Sequence, residues 1–454
     1  MRRNNKVLFL ILITLCSLIP TLLSAQWLET TITVGSSPCA LVWNTQNNKI
    51  YCANQTSDNV TVINGTTNSV ITTITAGSYP SALVWNSQNN KIYCANQFSD
   101  NVTVIDGQTD SVITTITAGG EPYALVWNSQ NNKVYCVNYY TNNVTVINGQ
   151  TDSVITTIPA GNSPCALVWN SQNNKIYCAN INSDDITVID GRSNSAITTI
   201  YVVSEPLALV WNSQNNKIYC VDWGSDDVSV IDSQTDSVIT TISVGAMGSF
   251  PYALAWNAQN NKIYCANQGS NNMTVIDGQT NSVIITILVG SSPQVLLWNS
   301  LNNKIYCANY FYDDVTVING QTDSIITSIT VGSGPYAFCW NATQNRTYVA
   351  NYYSFSVSVI RDSTITGVEE NHQPLSADRL TLEIFPNPAK TYFTVRLPLS
   401  ADCLKIFDVS GRVVKELNIS GVGEIRLPLK DIQAGVYFVQ LDNRTTTKKL
   451  IITK

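Results

Sequence analysis

Histidine, methionine and charged side chains are scarce in this sequence. Its 454 residues include one histidine, His372, and three methionines, and 12% of them are charged, whereas an average soluble domain has about 25%. A single histidine excludes a Ser-His-Asp triad, a histidine-based metal site and a Cys-x-x-Cys-His haem attachment. With 44% hydrophobic residues, 21 tyrosines and 10 tryptophans, the composition favours a large β-rich core over a helical bundle.

Long apolar runs are also missing, except at the start of the chain. Basic residues at positions 2, 3 and 6 precede an apolar stretch over residues 7–23, which ends at small residues before Gln26. This pattern predicts a secretory signal peptide over residues 1–25, with a membrane anchor as the alternative. No later segment reaches the roughly 18 consecutive apolar residues that span a bilayer, so we expect no transmembrane segment in the mature chain.

Positive charge is scarce in the central region. Residues 26–362 carry 10 basic and 21 acidic side chains, a net charge of −11, whereas residues 363–454 carry 12 basic and 10 acidic ones. A scaffold this acidic repels phosphate backbones and anionic lipid surfaces. We therefore expect no nucleic-acid partner.

A repeat of about 42 residues fills the central region. The dipeptide Trp-Asn marks eight copies, which begin at Trp43, Trp85, Trp127, Trp169, Trp211, Trp256, Trp298 and Trp340. Each copy contains four short apolar runs, separated by connectors rich in Asn, Asp and Gly, which are residues that close tight hairpins. A four-stranded antiparallel unit of this length predicts a β-propeller blade, and blades must close into a ring to bury both faces.

The two ends of the repeat region predict how the ring closes. Residues 30–35 match the fourth strand of a repeat, as at residues 114–119, whereas the last repeat has only three clear strands. We expect the N-terminal strand to complete the last blade, which leaves no open edge. The predicted fold is all-β, an eight-bladed propeller of four-stranded blades.

The repeat motif Lys-Ile-Tyr-Cys-Ala-Asn, followed by Val-Thr-Val-Ile-Asp, resembles the YVTN family of β-propeller repeats, known from surface-layer and other exported proteins. The resemblance covers residues 26–362 and implies a propeller domain over that range. Seven-bladed rings are the common form in that family, so seven blades are the alternative to eight.

In seven repeats of this chain, cysteine stands where that family usually has valine. These residues are Cys52, Cys94, Cys136, Cys178, Cys220, Cys265 and Cys307, and the eighth repeat keeps Val349. Packed sheets lie about 10 Å apart, whereas a disulfide needs Cα atoms within about 7 Å, so we expect buried free thiols rather than bonds between blades. Strained disulfides within a hairpin, Cys39–Cys52 and Cys165–Cys178, are the alternative.

The region after residue 362 lacks the repeat. Residues 363–379 are predicted to be a linker, and residues 380–454 resemble the C-terminal sorting domain of the type IX secretion system. The residues that carry this resemblance include Phe385, Pro386, Asn387, Pro388, Gly435 and Tyr437. It implies a small β-sandwich recognised by the secretion machinery, and passage through the periplasm to the outer surface of a bacterium or into the medium. An ordinary β-sandwich binding module is the alternative.

Two of the four connectors vary from copy to copy, and both are predicted to open on one rim of the ring. The aromatic residues on this rim are Phe98, Tyr123, Tyr139, Tyr140, Trp223, Tyr252, Tyr310, Phe311, Tyr312, Tyr336, Tyr352 and Tyr353. The acids among them include Glu121, Asp184, Glu205, Asp226 and Asp313. Aromatic rings beside carboxylates are typical of carbohydrate or peptide sites, because rigid rings give contact area at low entropic cost. The alternative is sequence drift after duplication.

We expect a non-catalytic exported protein that binds a glycan, a peptide or another cell-surface component on this rim. No catalytic residue, metal ligand or cofactor is assigned. Acidic pairs such as Asp184-Asp185 offer oxygen ligands for Ca²⁺, but their composition is typical of solvated turns. The alternatives are a propeller enzyme, lyase-like or a carboxylate-dependent hydrolase, and a purely structural surface-layer component.

Overall fold

The computed structural model describes residues 24–364 and, further on, residues 383–385, 389–397, 403–408, 412–418, 423–429, 432–441 and 447–453. The chain divides into two units, Met1–Gly367 and Val368–Lys454. Nearly all of the predicted signal peptide, most of the predicted linker, His372 and the motif residues Pro386, Asn387 and Pro388 lie outside the described residues. Within the described ranges, no helix is long and apolar enough to cross a membrane.

Eight four-stranded antiparallel sheets make up the first unit, and we number them as blades 1 to 8. Blade 1 consists of β2 (Pro38–Asn44), β3 (Lys49–Asn54), β4 (Asn59–Asn64) and β5 (Val70–Thr75). Blade 2 consists of β6 (Pro80–Asn86), β7 (Lys91–Asn96), β8 (Asn101–Asp106) and β9 (Val112–Thr117). Blade 3 consists of β10 (Pro122–Asn128), β11 (Lys133–Asn138), β12 (Asn143–Asn148) and β13 (Val154–Pro159). Blade 4 consists of β14 (Pro164–Asn170), β15 (Lys175–Asn180), β16 (Asp185–Asp190) and β17 (Ser195–Tyr201). Blade 5 consists of β18 (Pro206–Asn212), β19 (Lys217–Asp222), β20 (Asp227–Asp232) and β21 (Ser237–Ser243).

The last three blades follow the same order. Blade 6 consists of β22 (Pro251–Asn257), β23 (Lys262–Asn267), β24 (Asn272–Asp277) and β25 (Val283–Leu288). Blade 7 consists of β26 (Pro293–Asn299), β27 (Lys304–Asn309), β28 (Asp314–Asn319) and β29 (Ile325–Thr330). Blade 8 consists of β30 (Pro335–Asn341), β31 (Arg346–Asn351), β32 (Ser356–Thr364) and, last in the sheet, β1 (Ser24–Thr33). We call the four strands of each blade a to d in sheet order, and the loops between them ab, bc, cd and, into the next blade, da.

The a strands contact one another in a closed circle, from blade 1 round to blade 8 and back to blade 1. The core therefore lies between blades. Tyr51, Val60 and Val62 of blade 1, for example, pack with Ile92 and Cys94 of blade 2. The b and c strands are almost wholly buried, which suits the β-branched and aromatic residues at their central positions.

Asparagine side chains form a second closed circle at one end of the a strands. The Asn that ends each a strand donates through Nδ2 to Oδ1 of an ab-loop Asn in the next blade, at 2.6–3.0 Å. The circle begins with Asn44 and Asn90 and ends with Asn341, whose partner Asn48 lies in blade 1. These bonds confirm the eight-bladed ring rather than a seven-bladed one.

Each interface between blades also carries a Lys or Arg and a Tyr that share one partner. Lys91 Nζ donates to Oδ2 of Asp152 in the next blade at 2.7 Å, and the hydroxyl of the buried Tyr93 donates to Oδ1 at 2.6 Å. Asparagines replace the aspartate opposite Lys133 and Lys217, at 2.9 and 3.0 Å. A shared partner holds two donors in place, so it fixes the spacing of neighbouring blades.

The blade that closes the ring departs from this pattern. Arg346 takes the place of the lysine, and it donates to both carboxylate oxygens of Glu29 at 2.6 Å and to the carbonyl oxygens of Gly65 and Thr66 in blade 1. The antiparallel pairing of β1 with β32 confirms that the N-terminal strand completes blade 8, and Glu29 stands at a register shift in that pairing. The closing strand therefore supplies the carboxylate that the next blade supplies at most other interfaces.

The ten cysteines described in the propeller are buried, free thiols. Burial raises the pKa of Cys39 and Cys165 to about 12, so neither forms a reactive thiolate near neutral pH. The alternative disulfides, Cys39–Cys52 and Cys165–Cys178, are not formed. The thiols pack as small apolar groups between the blades.

The second unit contains two antiparallel sheets that share one core, as expected for a small β-sandwich. Its strands are β33 (Glu383–Phe385), β34 (Tyr392–Leu397), β35 (Cys403–Asp408), β36 (Val413–Asn418), β37 (Gly423–Pro428), β38 (Gly435–Leu441) and β39 (Thr447–Ile452). Phe393 and Val395 from one sheet and Ile406 and Val439 from the other lie in the same buried cluster. Of the motif residues, Phe385 ends β33, and Gly435 and Tyr437 belong to β38.

Candidate functional site

The bc and da loops lie together at one end of the ring, which we call the variable rim; the ab and cd loops form the constant rim. In every blade a backbone N–H of the bc loop donates to the carbonyl of the da residue that precedes the proline. Examples are Tyr139 to Glu121 at 2.9 Å and Tyr352 to Gly334 at 2.8 Å. The two sequence-variable loops of a blade therefore form one surface.

A repeated framework holds the variable rim together. Seven bc loops end in an Asp or Asn with a left-handed φ, and its Oδ1 accepts the N–H of the da residue before the next proline. Asp184, Asp226 and Asp313, which the sequence placed among the candidate acids, all have this structural contact. Within the described ranges, no group of three or more His, Cys, Asp or Glu side chains could hold a metal ion.

The residue after each da proline stands at a register shift at the start of strand a. We call these the mouth positions: Cys39, Ser81, Tyr123, Cys165, Leu207, Tyr252, Gln294 and Tyr336. Ser81 Oγ donates to the carbonyl of Pro122 in the next blade at 3.0 Å, and Cys39 Sγ donates to that of Pro80 at 3.1 Å. These side chains surround the centre of the ring on the variable rim.

All twelve predicted aromatic residues lie on the variable rim. Nine stand in bc loops, and Tyr123, Tyr252 and Tyr336 occupy mouth positions. None of them is buried. Phe98, Tyr123, Tyr140, Phe311, Tyr312 and Tyr353 are exposed, and the other six are half-buried. The twelve are therefore available to a ligand, although they do not form one continuous site.

Five of the twelve form a single group, the blade 7–8 cluster, which consists of Tyr310, Phe311, Tyr336, Tyr352 and Tyr353. Neighbouring ring centroids in this cluster are 5.2–6.2 Å apart. The Tyr352 hydroxyl also donates to Oε1 of Gln55 in blade 1 at 2.9 Å. The cluster thus spans the seam at which the ring closes.

Smaller pairs occupy other blades. Tyr123 lies beside Tyr139 at 5.8 Å between ring centroids, Trp223 stacks on Phe250 at 5.0 Å, and Phe98 stacks on Tyr79 at 4.2 Å. Sequence reasoning missed Tyr79 and Phe250, which directly precede da prolines. The signal was present, since both belong to the variable da loops that contact the bc loops.

The three phenols at the mouth positions are close enough to affect one another. Partial loss of water around the phenols is the largest cause of their raised pKa, which reaches about 12 at Tyr123 and is also above the ordinary value at Tyr252 and Tyr336. The charge of an ionised Tyr252 would raise the pKa of both other phenols further. All three therefore stay protonated near neutral pH and can donate hydrogen bonds.

Gly334 makes room for the blade 7–8 cluster. It precedes a da proline with φ of +68°, and a Cβ there would lie 2.8 Å from Cδ2 of Tyr353 and 3.3 Å from Cε2 of Tyr310. We expect Gly334→Ala to destabilise the protein by about 1–3 kcal/mol, because the added methyl displaces Tyr353. Urea unfolding would measure the change. Glu121→Ala is the control, since Glu121 occupies the equivalent position at a φ of 56°. If both variants lost the same free energy of unfolding relative to the wild type, the proposed crowding at Gly334 would be contradicted.

Blade 5 differs from the others next to its rim aromatics. An Asn ends strand b in the other seven blades, but Asp222 stands there in blade 5, fully buried. Ser229 Oγ donates to its Oδ2 at 2.5 Å, and its Oδ1 has no hydrogen-bond partner. Burial raises the pKa of Asp222 to about 7. In six other blades a da glycine packs on this Asn, as Gly35 does on Asn54, but Val203 replaces it in blade 5.

Comparisons with known proteins agree with this architecture. Two solved structures that the propeller resembles are hydrazine synthase from Kuenenia stuttgartiensis and Sqt1 from Saccharomyces cerevisiae. The first has a TM-score of 0.54 at 16% identity, covering 73% of this chain and 97% of that chain. The second has a TM-score of 0.66 at 11% identity, covering 75% and 99%. At such identities the likeness shows the fold alone.

Family comparisons are more specific. No protein in the curated set matched the chain. The sequence model for YNCE-like beta-propellers matches residues 11–345, and that for the secretion system C-terminal sorting domain matches residues 383–453. The resemblances drawn from the repeat motif and from the tail are thereby confirmed. The chain belongs to the YNCE-like β-propeller family and carries a type IX sorting domain, which marks it for export to the cell surface or beyond.

Proposed function

We propose that the exported propeller is a non-catalytic binding protein whose variable rim holds a glycan, a peptide or another cell-surface component. The observation that carries the proposal is the blade 7–8 cluster, in which five aromatic rings from two blades converge and stay accessible to solvent. Rigid rings of this kind offer a large contact area at low entropic cost. The proposed function requires no metal and no cofactor.

The position of the perturbed acid also favours binding over catalysis. The acid with the most strongly raised pKa in the propeller, Asp222, is fully buried and reaches no ligand on the rim. General acid–base catalysis requires a group within hydrogen-bond reach of the reacting atoms. The phenols at the mouth positions can donate hydrogen bonds, which suits recognition.

The test is a glycan and peptide array probed with the full mature chain and with the double variant Tyr310→Ala/Tyr352→Ala. We expect the wild type to bind selectively and the double variant to bind about ten- to a hundredfold more weakly, since each aromatic contact contributes about 0.5–1.5 kcal/mol beyond its area. Tyr140→Ala is the matched control, because this exposed ring belongs to none of the ring pairs in the described residues.

A cooperative melt of each variant would show that it folds. Absence of binding by the folded wild type would contradict the proposal and favour a purely structural surface component. Equal loss in Tyr140→Ala and in the double variant would also contradict it, because the blade 7–8 cluster would then have no special role.

A further inference from the structure

The two rims differ completely in positive charge. All ten basic residues between positions 26 and 362 lie on the constant-rim side of the propeller. Seven lysines and Arg346 begin b strands, Arg192 lies in a cd loop, and Arg361 pairs with Arg346 in strand register. The variable rim therefore has no cationic side chain.

The acids are divided in a way that leaves the whole net charge on the variable rim. Ten acids lie on the constant-rim side, where they balance the ten basic residues. The other eleven are Asp58, Asp100, Glu121, Asp184, Asp185, Glu205, Asp222, Asp226, Asp227, Asp313 and Asp314, in bc loops, in da loops or at the adjoining strand ends. Without the fully buried Asp222, the face that carries the aromatic rings still has ten acids and no basic residue.

A buried hydrogen-bond acceptor without a partner and two half-buried carboxylates add to this bias. Gln294 occupies the mouth position between Tyr252 and Tyr336, and its Oε1 is buried with no hydrogen-bond partner. Glu121 and Glu205, both half-buried, stand in the da loops that contact Tyr139 and Trp223. A ligand that meets this face must bring donors and positive charge.

The spread of the aromatic pairs indicates the size of the ligand. Ring pairs occur in blades 2 and 3 and between blades 5 and 6, in addition to the blade 7–8 cluster. A small amine would occupy one such place, whereas an extended chain with cationic side chains at intervals fits several. Lys and Arg side chains stack favourably on aromatic faces, and more strongly where water is excluded.

We propose that the variable rim binds a Lys- and Arg-rich polypeptide segment of another protein, whose cationic side chains lie between the aromatic rings and the rim carboxylates. This inference rests on the proposed binding function and names its ligand class. Anionic glycans and phosphates are repelled by the same face, and neutral sugars gain nothing from its charge. The charge attraction makes the association weaken as salt rises.

The test uses fluorescent peptides of equal length that differ only in having Lys and Arg, Gln, or Glu at alternate positions. Anisotropy titrations with the full mature chain should show binding of the basic peptide alone, weakening at high salt. The variant Glu121→Gln/Glu205→Gln should bind it about two- to thirtyfold more weakly, because the change removes two carboxylates from the rim. The matched control is Asp106→Asn on the constant rim, where the equivalent residue in blade 1 is Asn64; it should bind as the wild type does.

Several outcomes would overturn the inference. One is binding of the basic peptide that ignores both salt and the Glu121→Gln/Glu205→Gln change, and another is binding of a polyamine but of no peptide. Failure of the basic peptide together with array binding that depends on Tyr310 and Tyr352 would overturn the ligand class and leave the proposed function standing. Failure of every probe on the folded chain would overturn both.

Discussion

Replacing Glu29 by alanine is expected to lower the free energy of unfolding of the propeller by about 3–5 kcal/mol. Arg346 has only 7% of its side chain exposed, and Glu29 is the carboxylate that neutralises it. Burial lowers the pKa of Arg346, but the bonds to Glu29 outweigh this effect and raise the pKa above its ordinary value. Without Glu29 the guanidinium stays charged and buried with only carbonyl partners.

Urea unfolding followed by tryptophan fluorescence would measure this change. Asp152→Asn is the matched control, because the chain itself places Asn194 and Asn281 opposite lysines at two equivalent interfaces. We expect that control to lose much less stability than Glu29→Ala. If the order were reversed, closure of the ring would not depend on Glu29.

The second large effect is expected from Asp222→Asn, which gives blade 5 the residue that ends strand b in the other blades. The pKa of Asp222 is about 7 in the folded protein and about 3.9 in an unfolded chain. Between these values the folded state keeps a proton that unfolding releases, so wild-type stability falls as the pH rises from about 4 to about 7. Below about pH 4 both states are protonated, and this loss disappears.

The variant should not show that loss. Its amide cannot ionise, and in the other blades the same Asn donates to strand c, as Asn54 does to Asn59 and Thr61 at 2.7 and 2.8 Å. Asp222→Asn should therefore exceed the wild type by up to about 4 kcal/mol at about pH 8 and match it near about pH 4. Urea unfolding at several pH values would measure the difference. A constant gap between Asp222→Asn and wild type across pH would contradict the raised pKa.

Much of the fold could be predicted because the same four-strand pattern recurs in eight repeats. Eight Trp-Asn dipeptides gave the number of blades, and the match of residues 30–35 to a fourth strand gave the closure. The thiol state of the cysteines followed from their place on a buried strand. Glu29 was missed for the opposite reason, since it occurs once, at an irregularity in the strand register that no repeat displays.

The candidate site could be predicted as a face but not as a set of contacts. The variability of two loops located the aromatic residues, yet the structure alone shows that Tyr310 meets Tyr353, because these residues come from neighbouring blades. Asp184 looked like a ligand residue in sequence. Its partner is the backbone N–H of Glu205, 21 residues further along the chain, and only the left-handed turn of the bc loop brings the two together.

The closure of blade 8 also sets an order in time. Strand β1 is the first part of the propeller to be synthesised, whereas its partner, Ser356–Thr364, is synthesised last. Until that partner is made, β1 has an unpaired strand edge, and such edges invite pairing with other chains. A chain that stops before Ser356 can never hide that edge. Only a chain that includes Ser356–Thr364 can therefore pair all the strands of the ring. A protease or chaperone that recognises unpaired strand edges would distinguish such a chain from an interrupted one.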